Sequence, residues 1–213
     1  MKKKELEKRS YSFEIRAEET EQGNVITGRP IVYSSRTNLG WFDEIIEPGA
    51  LNNTNLTDVR FLVNHDTSKI PLARSRRNNG NSTMQLTTDN NGMSIRVTLD
   101  TENNSEARAL YSAVQRGDIS GMSFMFGIND EEWEDLESDH PTRHIKDISS
   151  VVEVSAVTFP AYESTEIHAR SKEALDNARS VLESTRQQEA KSVETDKKSL
   201  ELEKAKLKFI SKI

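Results

Sequence analysis

The chain has 213 residues, of which 34% are hydrophobic and 30% charged, and its formal net charge at pH 7 is -6. This length suits one domain of ordinary size, with residues left over for an extension. The negative charge argues against a general nucleic-acid-binding protein, because phosphate neutralisation needs clustered, surplus Lys and Arg. The absence of cysteine excludes disulfides and thiolate chemistry, so a covalent mechanism would fall to Ser, Thr, Lys or a carboxylate.

Hydropathy gives no sign of a membrane protein. No apolar run approaches the roughly 18 to 20 residues of a membrane span, and no hydrophobic stretch follows the N-terminal lysines as a secretory signal requires. We therefore expect a protein that acts in a cytoplasm, with neither membrane nor nucleic acid as a partner. Apolar residues concentrate between about residue 10 and residue 165, which is the part expected to fold around a core.

The first half of this region mostly alternates apolar and polar positions, which predicts strands. The expected strands are 11–19, 25–35, 59–64, 84–89 and 93–100. The polar sequences TEQGN and DNNG predict turns after the first strand and before the last. Residues 41–53 break at Pro48-Gly49, which predicts a turn followed by a short helix.

The period changes to that of a helix over residues 101–116. Apolar residues at i, i+3, i+4 and i+7 are Ala107, Leu110, Tyr111 and Val114. Thr101 and Asn104 are the candidate N-caps. One amphipathic helix between strands is therefore predicted.

Two more strands are expected after this helix, at 121–128 and 149–159. Between them lie the acidic stretch 130–137 and the segment 142–148. The acidic stretch is most simply a solvated loop, although it could also dock a basic partner segment.

After Pro160 the pattern becomes helical and very polar. Residues 171–213 are expected to form an extended helix, or a helix that forms only against a partner. Val193, Leu200 and Leu207 repeat every seven residues, but two such steps do not establish a coiled coil.

A lone serine stands among large apolar side chains in GDISGMSFMF, residues 117–126. Alternate residues of a strand face opposite sides, so Ser123 faces away from Met122 and Phe124. We expect the Ser123 side chain to be exposed on one face of the strand, with the large apolar side chains packed on the other face.

Two other apolar segments each carry one polar residue of chemical interest. VRFLVNHD contains His65, and SSVVEVSAVTFPAY contains Glu153. Burying a carboxylate without a partner costs free energy. Either the strand of Glu153 therefore has a solvent-exposed face, or another group binds the Glu153 carboxylate. Taken singly, Ser123, His65 and Glu153 each have an ordinary structural interpretation. If the three converge, they have the groups for acyl transfer: Ser123 as nucleophile, His65 as general base and Glu153 as its orienting carboxylate.

Several residues compete for these roles. Asp66 is a poor orienting carboxylate, because its neighbour position on a strand points it away from the face of His65. His144 is a better rival. His65, His140 and His144 could instead bind a metal with Asp66 or Asp139, but the two later histidines flank a proline and lack a helix to align them. We therefore expect no metal and no cofactor.

A basic cluster follows His65 in PLARSRRNNG. Arg74 is the candidate within it for support of a developing oxyanion. The ordinary interpretation of Arg74, Arg76 and Arg77 is a solvated loop.

The order of several motifs resembles the head maturation (prohead) protease family of tailed bacteriophages over roughly residues 10–165. The motifs, in order, are GRPIVYSS, WFDEIIEPGAL, FLVNHD with PLARS, GMSIRVTLD, GDISGMSFMF and EVSAVTFPAY. The resemblance implies that His65 and Ser123 are the catalytic base and nucleophile and that Glu153 is the acidic third member. Ser120 lies three residues before Ser123, on the opposite strand face, and is taken as a structural neighbour. The order His, Ser, Glu along the chain differs from those of trypsin-like, subtilisin-like and α/β-hydrolase enzymes.

The resemblance also implies a fold: a mainly β (α+β) protein with a closed antiparallel β-barrel and surrounding helices, similar to the herpesvirus assembly protease. A protease domain is expected over residues 10–167. Residues 168–213 are expected to be a charged helical tail that tethers the enzyme to scaffold and is removed by self-cleavage.

The function that follows is that of a serine endopeptidase acting inside the immature phage capsid in the host cytoplasm. Its expected partners are scaffold or the scaffold-like region of the major capsid protein, and a second copy of itself for dimerisation or self-cleavage. The main alternative is a non-enzymatic assembly scaffold with the same barrel. A metal-dependent hydrolase that uses His65 and Asp66 is a third interpretation.

Overall fold

The computed structural model describes residues 6–11, 15–21, 23–158 and 165–210. Strands dominate this part of the chain, and two helices accompany them. The elements in chain order are β1 (Leu6–Tyr11), β2 (Ile15–Thr20), β3 (Gly23–Val32), β4 (Thr37–Asn38), β5 (Asp43–Ile46), β6 (Asp58–Val63), β7 (Ala73–Arg76), β8 (Met84–Asp89), β9 (Gly92–Leu99), α1 (Ser105–Gln115), β10 (Gly121–Glu134), β11 (Thr142–Val157) and α2 (Thr165–Ile210).

The described strands form two sheets that share one core. The first has seven strands: the order β1-β10-β11-β5-β4 is extended by β6, which pairs with both β11 and β7. The second is β2-β3-β9-β8. Phe61 and Phe124 of the first sheet lie in the same buried cluster as Ile26 and Met93 of the second. Helix α1 adds its apolar face to that cluster.

The predicted mainly β class is confirmed, but the closed antiparallel barrel is wrong for the described part of the chain. The strands divide into two sheets that do not pair with each other. The first sheet is mixed, because β5 and β6 both pair with β11 in parallel. Antiparallel neighbours can be joined by tight hairpins, whereas parallel pairs need long connections, and such pairing cannot be read from local turns. The likeness to the herpesvirus assembly protease stays a prediction.

The longest strands, β10 and β11, extend beyond the predicted segments. Residues 130–134 of the acidic stretch predicted as a loop are the end of β10, residues 135–137 lie in the connection to β11, and residues 142–148 are the beginning of β11. Trp133 lies directly opposite Arg143 in this ladder, and its ring meets Phe42 edge-on at 4.8 Å between centroids. Cross-strand contacts of this kind stabilise the end of β10 as a strand, although its polar sequence does not predict a strand there. In segment 41–53, residues 43–46 form strand β5, which pairs with β11, and residues 48–53 form the predicted turn but not the short helix.

Two local predictions are confirmed. Strands β8 and β9 form the hairpin that DNNG predicted, and Gly92 has a φ of 129°. A Cβ at Gly92 would lie 2.0 Å from the carbonyl oxygen of Ile31, so only glycine fits. The oxygen of the Asn104 side chain accepts hydrogen bonds from two amides of the first turn of α1, which makes Asn104 the N-cap.

Helix α2 packs its first turns on the first sheet. Leu175 is buried with Leu39 and Phe42, and Arg179 donates hydrogen bonds to two carbonyls of the β10–β11 connection. The predicted boundary between residues 167 and 168 falls inside this helix, and the division into domain and tail stays a prediction. No helix in the described part is long and apolar enough to cross a membrane.

The heptad repeat of the tail remains untested. The side chains of Leu200 and Leu207 lie outside the described part of the chain. Val193 is exposed. The coiled-coil interpretation therefore stays open.

Candidate active site

Strand β10, which carries Ser123, is the neighbour of edge strand β1 in the first sheet. Ser123 is fully buried and lies directly opposite Ser155 of β11. Its neighbours Met122 and Phe124 point to the other face and fill the core, as the alternation predicts. The expectation that the Ser123 side chain is exposed is wrong, because His65 and the Arg9 carbonyl lie against its hydroxyl.

His65 follows strand β6 in a turn and does not lie on a strand as predicted. Asn64 and His65 have φ values of 50° and 59°, in the left-handed region that non-glycine residues rarely adopt. The Asn64 side chain holds this turn against the end of β11, because it accepts from the Thr158 amide at 2.9 Å and donates to the Thr158 hydroxyl at 3.0 Å. Since β6 pairs with β11, the turn brings the imidazole to the strand that carries Glu153.

The structure brings the three predicted residues together. His65 Nε2 lies 2.5 Å from Ser123 Oγ, and His65 Nδ1 is hydrogen-bonded to Glu153 Oε1. Glu153 is 2% exposed. A carboxylate only accepts, so Nδ1–H donates to Glu153 and leaves the Nε2 lone pair free to accept the serine proton. The buried carboxylate thus has the partner that its burial requires.

Ser155 is a site residue that the sequence analysis missed. Its hydroxyl accepts a hydrogen bond from the His65 amide at 3.1 Å and donates one to Glu153 Oε2 at 2.6 Å. One buried hydroxyl therefore joins the backbone of His65 to the carboxylate that binds its imidazole. The available signal was the two-residue spacing from Glu153, which puts both side chains on one face of the strand.

Ser123 has a second partner on strand β1. Its hydroxyl donates to the carbonyl oxygen of Arg9 at 2.8 Å. A hydroxyl carries one proton, so Ser123 can donate to this carbonyl or to His65 at a given moment, but not to both.

A group of charged residues surrounds Arg9 on the opposite side of the sheet. Burial by itself raises the pKa of Glu7, but the charges of Arg9 and Arg143 and their hydrogen bonds outweigh it and lower the pKa to about 2. Burial likewise tends to lower the pKa of Arg143, yet Glu7 and Glu44 raise it above its ordinary value. The Glu7 carboxylate and the Arg143 guanidinium are thus held in their charged forms.

The rival residues lie elsewhere. His144 Nδ1 is 2.6 Å from Glu47 Oε1, and His140 Nε2 is 3.0 Å from Asp43 Oδ1. The Asp66 carboxylate accepts hydrogen bonds within its own turn. Over the described residues, no group of three or more His, Cys, Asp or Glu side chains could hold a metal ion.

The geometry disfavours Arg74 as support for an oxyanion. Its guanidinium binds both carboxylate oxygens of Asp58, at 2.5 and 2.6 Å. The hydrogen bond from Arg74 lowers the pKa of Asp58, which keeps the pair charged. Strand β7 lies three strands away from β10 in the sheet, a separation of about 14 Å at the usual strand spacing.

Residues 11–180 match the family of caudovirus prohead serine proteases, and the chain belongs to this family. The predicted family is thereby confirmed, and with it the serine-type class of enzyme that the family represents.

Two individual proteins are similar to this chain. The prohead protease of Enterobacteria phage HK97 is 31% identical over 143 residues, which cover 65% of this chain and 58% of that protein. The match thus spans less than two thirds of the length of that relative. The solved structure of the capsid assembly protease of bacteriophage T4 aligns with a TM-score of 0.44 and 12% identity, over 72% of this chain and 97% of that one.

Proposed function

We propose that this chain is a serine endopeptidase of phage capsid maturation, with Ser123 as nucleophile, His65 as general base and Glu153 as the orienting carboxylate. One observation carries the proposal: the His65 imidazole lies between Ser123 Oγ and the Glu153 carboxylate. Membership of the prohead serine protease family supports it independently of that geometry.

The arrangement supports acyl transfer in two stages. In the first, Ser123 Oγ attacks the carbonyl carbon of a peptide bond while His65 Nε2 takes the hydroxyl proton. The C–N bond then breaks, and His65 returns that proton to the leaving amine. In the second stage, His65 takes a proton from the water that attacks the ester carbonyl, the bond from that carbon to Ser123 Oγ breaks, and His65 returns the proton to Oγ as the new carboxyl terminus leaves.

Glu153 acts through the histidine. It accepts from Nδ1–H, so it fixes the tautomer whose Nε2 faces Ser123, and its charge stabilises the imidazolium that forms during attack. Ser155 holds the second oxygen of this carboxylate and the His65 amide in place. A preorganised base of this kind contributes about 10²–10⁴-fold to rate.

The substrates we propose are scaffold or the scaffold-like region of the major capsid protein, and the chain itself. The reaction would take place inside the immature capsid, in the host cytoplasm. The support is the family, and the relative from phage HK97 that is named for the prohead. The charged segment 168–213 would tether the enzyme to scaffold and be removed by self-cleavage when assembly is complete. Normal packaging of a chain without that segment would contradict the tether.

The test is intact-mass spectrometry over time, on wild-type protein beside Ser123→Ala and Ser120→Ala, alone and with co-expressed capsid protein. Ser120 is an exposed serine three residues away and serves as the matched control. We expect fragments in wild type and Ser120→Ala and none in Ser123→Ala.

Each other outcome has a defined meaning. Equal cleavage in all three proteins would refute the role of Ser123. Intact capsid protein in every sample would support the non-enzymatic scaffold. Cleavage that EDTA abolishes and a serine-reactive probe does not would support a metal-dependent hydrolase.

A further inference from the structure

Strand β1 covers the edge of the sheet next to Ser123. It runs antiparallel to β10 with Leu6 opposite Gly127 and Tyr11 opposite Met122, so it passes directly beside the serine. On its other side β10 pairs with β11. Within the described part, β1 is what covers this edge. Addition of an extended peptide to such an edge is a common mode of peptide recognition.

Strand β1 lies almost entirely before the residues that match the family. That match begins at residue 11, so all of β1 except Tyr11 precedes it. The strand lies at the edge of β10 beside Ser123, where an extended substrate could pair with β10 in its place.

Main-chain geometry identifies which residue of β1 faces the nucleophile. The hydroxyl of Ser123 contacts the carbonyl of Arg9 at 2.8 Å, and in a serine peptidase the carbonyl beside the nucleophile belongs to the residue before the scissile bond. Arg9 thus occupies the position of that residue. The hydrogen bond uses the proton that His65 would have to accept, so this arrangement blocks attack while it lasts.

The Arg9 side chain lies in a pocket built for a cation. It is 5% exposed, and it binds both oxygens of the fully buried Glu44, with Nε 2.5 Å from Oε1 and Nη2 2.7 Å from Oε2. Its guanidinium also lies 5.6 Å from the centre of the Phe126 ring. A bidentate arginine–carboxylate pair is both strong and geometrically selective.

The pocket would be incomplete without its arginine. Arg143 reaches only Oε2 of Glu44, at 3.4 Å, so Oε1 would lose its cation in a buried site. A buried carboxylate without a partner is strongly unfavourable, which gives the pocket its preference for a basic side chain. Arg143 also binds Glu7, two residues before Arg9, with both carboxylate oxygens at 3.0 Å.

We propose that the β10 edge beside Ser123 is the peptide-binding groove, that β1 occupies it as a self-peptide, and that Glu44 selects Arg or Lys at the residue whose carbonyl faces Ser123. Arg143 adds a preference for an acidic residue two positions earlier. The assignment of this groove to substrate rests on the proposed function. Because β1 is tethered to the domain, its effective concentration is high, and a substrate must displace it or wait for its removal.

The test is binding of labelled peptides to full-length protein that carries Ser123→Ala, which prevents turnover, and Arg9→Glu, which weakens the self-peptide. The probes are fluorescein-labelled LEKRSY, the sequence of residues 6–11, and the same peptide with citrulline in place of arginine. Citrulline keeps the shape of arginine and removes its charge. We expect the arginine peptide to bind about tenfold tighter or more, because a buried charged hydrogen bond is lost with citrulline.

Lys8 provides the matched control. It is the neighbouring basic residue of β1 and faces the other side of the strand. Replacing the lysine of the peptide by citrulline should change affinity less than threefold. In the full-length Ser123→Ala protein, Arg9→Glu should speed amide hydrogen exchange along β10 and raise peptide affinity, whereas Lys8→Glu should do neither.

The inference fails if the arginine and citrulline peptides bind equally or not at all, or if Arg9→Glu leaves exchange along β10 unchanged. Because Ser123→Ala has no nucleophile, these results do not depend on catalysis. Failure of the wild-type chain to cleave any capsid protein would instead refute the proposed function, while selective binding would still establish the groove. Since the charge is removed in the peptide, the test also avoids a Glu44 variant that could misfold.

Discussion

Glu153 and Ser155 are two residues apart on one strand, so their side chains lie on the same face and form a buried polar site. Both side chains project from one face of β11, and together they hold the ring and the backbone of His65. Every polar atom in this chain of contacts has a partner, which is what allows a carboxylate to be 2% exposed. The same completeness makes the site sensitive to the loss of one hydroxyl.

Replacing Ser155 by alanine should therefore lower kcat for peptide cleavage by about tenfold to a hundredfold, the range that an unpaired buried group costs. KM should change little, because the hydrogen bonds of the Ser155 hydroxyl are to His65 and Glu153, whereas the proposed peptide-binding edge of β10 is the one that β1 covers. Steady-state kinetics on a capsid-derived peptide would measure the two constants separately.

Ser149→Ala is the matched control for that experiment. Ser149 is a half-buried serine on the same strand, six residues earlier. Its loss should leave both constants within twofold of wild type. Equal losses in the two variants, or a change confined to KM, would show that Ser155 does not position His65 for the proposed reaction.

At the scale of a whole element, strand β1 shows how a polar segment can be stabilised as a strand by its partners. Its sequence, LEKRSY, is polar and has no alternation that predicts a strand. It forms a strand because β10 offers a free edge and because Arg9 and Glu7 find oppositely charged partners on β5 and β11. Its docking therefore depends on charge.

This dependence predicts an effect of pH. The pKa of Glu7 in the folded protein, about 2, lies below its ordinary value of 4.5, so the stabilisation is complete above about pH 4.5 and is lost as pH falls toward 2. Glu7 shares its cations Arg9 and Arg143 with Glu44 and Glu131, which also face this cluster. Wild type should be more stable than Glu7→Gln at pH 6, and the difference should shrink below pH 4.5 and disappear as pH approaches 2.

Thermal unfolding of both proteins between pH 2 and pH 7 would measure the difference. Glu19→Gln is the control, because Glu19 is an exposed glutamate on β2. Its Tm should follow that of wild type throughout. A constant difference between wild type and Glu7→Gln over the whole range would mean that the ion pairs of Glu7 do not stabilise the docked strand.

At the scale of the whole molecule, the two sheets depend on one core. Phe61 and Phe124 from the first sheet and Ile26 and Val97 from the second belong to a single buried cluster. Neither sheet has a separate apolar interior of this size in the described residues, so we expect the sheets to unfold together.

Phe61→Ala should lower the free energy of unfolding by about 3–5 kcal/mol, because it opens a cavity at a fully buried position between the sheets. Chemical denaturation followed by circular dichroism and by tryptophan fluorescence should give one coincident transition. Ile70→Ala is the control: Ile70 is 85% exposed, and its loss should cost less than about 0.5 kcal/mol. Two separated transitions would show that the sheets are independent.

The sequence by itself determined the local features and the family. The period of α1, its cap at Asn104, the hairpin before Gly92 and the isolated polar residues of the site all follow from short-range patterns, because propensity and alternation act over a few residues. The order of motifs identified the prohead protease family, which the family match confirms. The residue types and the family motifs are enough to single out the residues proposed for catalysis without any knowledge of their contacts.

Only the tertiary structure decided how distant segments meet. The parallel pairing of β6 with β11 brings His65 to Glu153, which is 88 residues away in the chain, and sheet order separates Arg74 from Ser123. The division into two sheets and the docking of β1 are set in the same way. Each depends on hydrogen bonds and ion pairs between strands far apart in sequence. The local alternation of apolar and polar residues does not predict which sheet edge a strand will join.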